Sequence, residues 1–538
     1  MVWEYMKILR NIATLFLLLG ILLEPAWQPA LAQTAVWSQP LELSSPKQSS
    51  TFPEISVDRT GQVHVFWSSG IGDYDVVMYR SLAPGKGWTQ ENDIVALSVT
   101  SGRIITRPAS LITPDGVLYL LFRNFTLFYS SVPVVEASNA GAWSERKEIN
   151  SGDNVVYFSR MVQDHKGTLH LFYTENTPSA SCSICFHLYY RRSEDGGARW
   201  TGPVRISDPN NGVAKPQIFI DALDKIHVVY EAGPGGDLGA VETESDVAYV
   251  SSGDGGNTWT EPAIFRGSAK PETLVTPSAK QTPTATPTAV GLISSKNIAI
   301  AQDGRGRLIV AWLSIPEDII YFSTSSDSGK TWSLGRPITG VWGGWTVYNA
   351  RTDGYSMATD SAGEVHLVLS GRTAKDQKTL NLLHVAWNGE EWSAPEVIKA
   401  YQGDVPEWPK IAVGNGNTLH VVWFERDKQH IFESGTGLYT IWYAQGLLNA
   451  PAVKGDPYPT LTAKPLPTEI SSADVQPTKT PEPTLPALQT NPTQPGMTGI
   501  SQPAYSETDY LVLLGKTLVP SLFFLVLVVL GIVILRRR

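Results

Sequence analysis

Seven times between residues 61 and 423 the chain repeats one pattern, in which a turn residue is followed by a short run dominated by alternating apolar positions. The copies read GQVHVFW (61–67), GVLYLLF (116–122), GTLHLFY (167–173), DKIHVVY (224–230), GRLIVAW (306–312), GEVHLVL (363–369) and NTLHVVW (417–423). Runs of this length and composition predict β-strands. A second β-rich run follows, as in DVVMYRS (75–81), HLYYRRS (187–193), DVAYVSS (246–252) and DIIYFSTS (318–325). A tryptophan before Ser or Thr then opens a further strand, at Trp37, Trp88, Trp143, Trp200, Trp259, Trp332 and Trp392.

The phase of the repeat predicts how it closes. The chain begins its pattern with a lone tryptophan strand at Trp37, while the last repeat, ending near Gln445, has no such strand after it. A ring in which the N-terminal strand completes the C-terminal unit explains both ends. Residues 33–450 give about 60 residues per unit, enough for a four-stranded blade. The predicted fold is therefore all-β, a seven-bladed β-propeller, with six blades as the alternative if one repeat is not a blade.

The flanks predict location. Lys7 and Arg10 precede an apolar run over 12–23, and Ala30-Leu31-Ala32 offers a cleavage site, so 1–32 reads as a signal peptide. The charge-free run 518–535 before Arg536, Arg537 and Arg538 reads as the core of a transmembrane helix over 511–535 with a cytoplasmic basic tail, 536–538. Residues 451–510 are rich in Pro and Thr and should form an extended stalk; a similar tract over 268–290 reads as a loop inserted in the propeller. These features place the propeller outside a cell, held by one helix.

Composition narrows the partners. With 42 Lys+Arg against 51 Asp+Glu, a net charge of −9 removes the basic footprint of a nucleic-acid binder. Two cysteines cannot build a disulfide framework, but Cys182-Ser-Ile-Cys185 in an exported protein favours a local disulfide over a zinc site. No metal or other cofactor is expected, and the propeller is expected to be monomeric.

Three turns carry a motif. Ser193-Glu-Asp195-Gly-Gly197-Ala-Arg-Trp200, Ser252-Gly-Asp254-Gly-Gly256-Asn-Thr-Trp259 and Ser325-Ser-Asp327-Ser-Gly329-Lys-Thr-Trp332 all fit S-x-D-x-G-x-x-W, and Ser81 to Trp88 is a copy without its Asp. On these residues the chain resembles the sialidase-like Asp-box propellers, the bacterial neuraminidase repeat family, over 33–450. In such turns the Asp accepts hydrogen bonds from turn amides, the Gly supplies a positive-φ corner and the Trp packs the hairpin. The resemblance implies that Asp195, Asp254 and Asp327, with Trp200, Trp259 and Trp332, are structural and lie opposite the ligand face. It also implies a carboxylate-gripping arginine in a Phe/Tyr-Arg-Ile-Pro motif, but the matching stretch is Ser50-Thr51-Phe52-Pro53, with Thr51 in the arginine's place. Asp73, in the loop region of the family's acid/base residue, is the tentative catalytic candidate.

The repeat phase puts other candidates around the funnel mouth. Residues just before the first strand of each blade or just after the second include Arg107, Lys215 and Trp408, with Arg123, Glu231, Arg372 and Arg426. An aromatic ring can stack on a pyranose while charged groups bond its hydroxyls. His64, His170, His227, His366 and His420 share one position in five repeats and should pack or hydrogen-bond between blades rather than gather around a metal. The expected function is recognition of an extracellular glycan or glycoprotein by a membrane-anchored propeller. The alternatives are a sialidase or other glycoside hydrolase, using arginines of other blades and a tyrosine such as Tyr348 or Tyr401 beside a glutamate, and a protein-interaction scaffold.

Overall fold

The computed structural model describes residues 34–458, apart from 47, 100–105, 151–153, 178–181, 183–184, 234–244, 268–271, 274–293, 316, 348–353 and 427–438. The signal peptide, most of the stalk and the transmembrane helix predicted from the sequence lie outside the described residues. Among the described residues no helix is long and apolar enough to cross a membrane.

Seven antiparallel sheets follow one another along the chain. Their innermost strands are Thr51–Val57, Ala109–Ile112, Val156–Gln163, Gly212–Ile220, Ser294–Gln302, Ser356–Thr359 and Val405–Gly414. Each touches the next, and the last touches the first, so the sheets close as seven blades around one axis. The six-blade alternative is excluded. Strands Val36–Trp37 and Leu41–Glu42 both pair with Thr440–Leu447, so the N-terminus supplies the outer edge of blade 7. Closure leaves the sheet system no open seam, which answers the edge-strand problem of an all-β protein. The Pro/Thr tract contributes one further element before it leaves the described residues: Glu272–Thr273 pairs with Ala263–Phe265 as a fifth strand of blade 4.

The seven repeat tryptophans do something the sequence did not show. They were expected to pin their own hairpins, yet each stands edge-on to an aromatic ring of the preceding blade. Trp88 meets Tyr443 at 4.8 Å between centroids, Trp143 meets Phe66 at 6.2 Å and Trp200 meets Tyr129 at 5.9 Å. Trp259 meets Tyr190 at 5.2 Å, Trp332 meets Tyr249 at 5.0 Å, Trp392 meets Phe322 at 5.7 Å and Trp37 meets His384 at 5.3 Å. The edge-to-face arrangement is the one the ring quadrupoles favour. Every seam in the ring thus carries one indole.

The Asp-boxes sit at the same end. Asp195 accepts from the Arg199 amide at 2.8 Å, Asp254 from Thr258 at 2.9 Å and Asp327 from Thr331 at 2.8 Å. These bonds hold the Asp195 carboxyl at about 2, led by the Arg199 amide, as the Thr258 hydroxyl does for Asp254. Gly197, Gly256 and Gly329 take φ of 86°, 85° and 82°, closed to ordinary side chains.

The histidines bond within their own blades and not between blades as expected, each reaching a residue of the neighbouring strand, and the link to the next blade is made by the partner. His170 Nδ1 lies 2.7 Å from the Tyr190 hydroxyl, which donates to the Gly255 carbonyl of the next Asp-box at 3.0 Å. His227 reaches Tyr249, and His420 reaches Tyr443, at 2.7 Å each; His64 reaches Tyr79 at 2.9 Å. In blade 6 the series runs His366, His384, Glu396 and the Trp37 indole, at 3.0, 2.9 and 2.9 Å, tying blade 6 to the N-terminal strand.

Candidate functional site

The end of the ring opposite the Asp-boxes is shaped by a repeated irregularity. The pairing of the first two strands slips by one residue between Thr51 and Glu54, Val156 and Ser159, Ala214 and Gln217, Lys296 and Ala299, and Glu407 and Lys410. Such bulges bend a strand and re-aim a side chain. Phe52, Lys215, Asn297 and Trp408 occupy four of these bulges with φ of 51°, 49°, 51° and 54°, and Arg107, just ahead of its strand, has 43°. A left-handed backbone is costly for a residue with a Cβ and clusters at functional sites. In four cases proline follows, where its missing N–H loses no ladder bond.

Blades 1, 2, 3 and 7 converge there on one guanidinium. The Arg107 Cζ lies 3.9 Å from the ring centroid of Phe52, 4.1 Å from Tyr157, 4.7 Å from Phe158 and 5.7 Å from Trp408. Its Nη2 donates to the Tyr157 hydroxyl at 2.9 Å, while Nε and Nη1 are buried without a hydrogen-bond partner. Arg123 approaches the Tyr157 ring to 4.8 Å, and its Nη1 donates to the carbonyls of Asn124 and Val156 at 2.8 Å. Burial, and then the charge of Arg107, pull the Arg123 guanidinium down to about 9.

Two more cations stand beside these. Arg160 lies 3.6 Å from Glu54, and Lys410 holds its ammonium 4.9 Å from the Trp408 ring. Burial, with the Arg160 charge added, lowers Lys410 to about 7 against the opposing pull of Glu54. Among the described residues Glu54 is a carboxylate that faces two of these four cations, Arg160 and Lys410. Buried charge of one sign in such excess is costly unless an anion compensates it.

The other charged mouth candidates are held in ion pairs. Lys215 Nζ lies 3.2 Å from Glu231 and 3.0 Å from Asn297, Arg372 Nη2 lies 2.9 Å from Asp318, and Arg426 Nη2 lies 2.8 Å from Glu407. Of the predicted set, Arg107, Arg123 and Trp408 come together, whereas Lys215, Glu231, Arg372 and Arg426 are held in separate ion pairs. Asp73 is exposed in a hairpin turn, its carbonyl accepting from Val99 at 2.9 Å. Cys182 and Cys185 form a disulfide.

Glu54, Tyr157, Phe158, Arg160 and Lys410 escaped the sequence reading. Their signal was present: charged residues inside innermost strands, which should be buried on both faces, are out of place unless they serve a site.

The Tyr–Glu pair imagined for a hydrolase also exists. The Tyr401 hydroxyl lies 2.6 Å from Glu425 and accepts from the Trp423 indole at 2.7 Å, with Lys399 also on Glu425. Burial and then Glu425 raise the Tyr401 phenol well above its usual range, and burial raises Glu425. Tyr348 lies outside the described residues. Among the described residues no group of three or more His, Cys, Asp or Glu could hold a metal ion.

Two family models match the chain, a BNR repeat-containing family member over residues 47–207 and a BNR repeat-like domain over 189–404. Overlapping at the first full Asp-box, they span the ring from blade 1 to the end of blade 6. The chain belongs to the BNR-repeat propellers. No curated protein matches it in sequence. Among solved structures, this BNR propeller is similar to a protein of unknown function from Dyadobacter fermentans, with 12% identity over 77% of this chain and 99% of that one, TM-score 0.43. It is similar to an ulvan lyase, a polysaccharide lyase, with 12% identity over 76% and 95% and TM-score 0.46. An intramolecular trans-sialidase from Ruminococcus gnavus also matches at 12% identity over 78% and 98%, TM-score 0.39.

Proposed function

We propose that this BNR propeller is a cell-surface receptor for acidic glycans, binding a carboxylate- or sulfate-bearing sugar at the centre of its mouth. One observation carries the reading: Arg107 presents two buried, unpartnered guanidinium nitrogens inside an aromatic box, with Arg123, Arg160 and Lys410 beside it and Glu54 facing Arg160 and Lys410. The guanidinium fork matches a carboxylate or sulfate, and the rings of Phe52, Tyr157 and Trp408 suit the apolar face of a pyranose. The signal peptide and terminal helix read from the sequence support display outside a membrane, with the Pro/Thr tract as a stalk.

The test is binding to a panel pairing acidic glycans with their neutral counterparts. The expected result is retention of acidic members, lost in Arg107→Ala. Equal binding of neutral and acidic members would overturn the reading. A second reading, a hydrolase, is favoured by the Tyr401–Glu425 pair alone; turnover of a fluorogenic sialoside, abolished in Tyr401→Phe, would establish it.

A further inference from the structure

Large exposed apolar side chains occur at both ends of this ring among the described residues. Most lie on outer strands or at the Asp-box end, as Val36, Val204, Leu223 and Val397 do. Among the described residues three lie on the mouth side: Ile71 and Tyr74, 37% and 48% exposed, and Phe125 at 43%. All three sit on the hairpins between second and third strands of blades 1 and 2.

Those two blades flank Arg107. The link to the cation cluster is direct on the Phe125 side: its carbonyl accepts from the Val156 amide at 2.9 Å, and Arg123, two residues earlier, donates to the Val156 carbonyl at 2.8 Å. On the Tyr74 side, the Thr106 amide donates to Ser68 Oγ at 2.9 Å, and the Thr106 hydroxyl reaches the Val76 carbonyl at 3.4 Å. The residue preceding Arg107 is therefore fastened to the strands that carry the Tyr74 hairpin.

Resting on the acidic-glycan reading, we infer that Tyr74 and Phe125 form an extension platform on which sugar rings flanking the bound acidic unit stack. The ligand is then an acidic oligosaccharide or polysaccharide running outward over blades 1 and 2, and not a single terminal sugar. Apolar surface left exposed beside a polar site marks a contact surface, and aromatic rings are the side chains that pair with pyranose faces. The ion pairs supply a direction, because Lys215, Arg372 and Arg426 on the other side of the mouth are already neutralised.

The experiment is calorimetric titration of the full-length protein with one-, two- and four-unit ladders of galacturonate, hyaluronan disaccharides and α2,8-linked sialate. In the ladder that binds, affinity should rise at least tenfold from one unit to four. In Tyr74→Ala/Phe125→Ala that ratio should fall to about two, and in Leu223→Ala, an exposed residue at the Asp-box end, it should not change. A length-independent affinity, or a ladder retained in the double variant, overturns the platform. Failure of every ladder, with Arg107→Ala indistinguishable from wild type, overturns the acidic-glycan reading and the platform with it. Loss of affinity in Arg107→Ala at all lengths, with a flat wild-type ladder, overturns the platform only.

Discussion

The indole of Trp332 in blade 5 stands edge-on to the phenol ring of Tyr249 in blade 4, with centroids 5.0 Å apart and planes at 75°. Trp332 is 6% exposed and Tyr249 2%, so the pair is a buried seam and not a surface ornament. Truncating a buried indole typically costs about 3–5 kcal/mol, through lost transfer energy and the cavity left behind. Trp332→Ala is expected to destabilise the ring by that amount, and Trp332→Phe by less. Chemical unfolding of the two variants, with unchanged slope against denaturant, checks this.

Removing the bound cation should stabilise the fold while ending recognition. Arg107 is 8% exposed, carries two unpartnered nitrogens and lies in a ring of aromatics. Replacing a buried charge by an apolar side chain of similar volume is often stabilising, by about 1–4 kcal/mol. Arg107→Met is therefore expected to raise the melting temperature and abolish acidic-glycan binding together. A lower melting temperature in Arg107→Met would show that the charge is already compensated.

Acid should destabilise the blades. Burial lowers His227, His384 and His420 to about 4, from an ordinary value near 6.5. Their folded-state values lie below the unfolded one, so the unfolded chain takes up protons first. Their contribution is complete above about pH 6.5 and is lost as pH falls from there toward 4. Melting temperature measured from pH 8 to pH 4 should decline mainly over that window, and His227→Gln should shallow the decline.

The sequence made the ring legible and left the site half read. Seven repeats in phase, with a lone tryptophan strand at one end, are enough to require closure, because pairing partners of a repeated strand are set by order. Asp195, Asp254 and Asp327 were legible for the same reason: the turn chemistry is local. The partners of Trp332 or Arg107 belong to another blade, and no local pattern reports which ring lies across a seam. Lys215 and Arg372 show the converse. Their position at the mouth was readable from phase, but Glu231 and Asp318, which neutralise them, reach them only through the folded ring.

Recognition should weaken as pH rises through neutrality, and Lys410 supplies the reason. Its ammonium is buried against Trp408 and beside Arg160, with Glu54 the opposing charge, and is lowered to about 7 from an ordinary value near 10.4. Below that value the cluster carries four cations; above it Lys410 is neutral and the attraction for a bound carboxylate or sulfate falls. The Arg123 guanidinium, lowered only to about 9, keeps its charge through the Lys410 transition, so affinity should drop to a lower plateau instead of vanishing. Affinity for an acidic glycan measured from pH 5.5 to pH 8 is expected to fall about threefold to thirtyfold, centred near pH 7, consistent with one charge in a partly screened site. In Lys410→Met the profile should be flat at the lower plateau. A pH profile unchanged in that variant would assign the titration to another group and remove Lys410 from the ligand's surroundings.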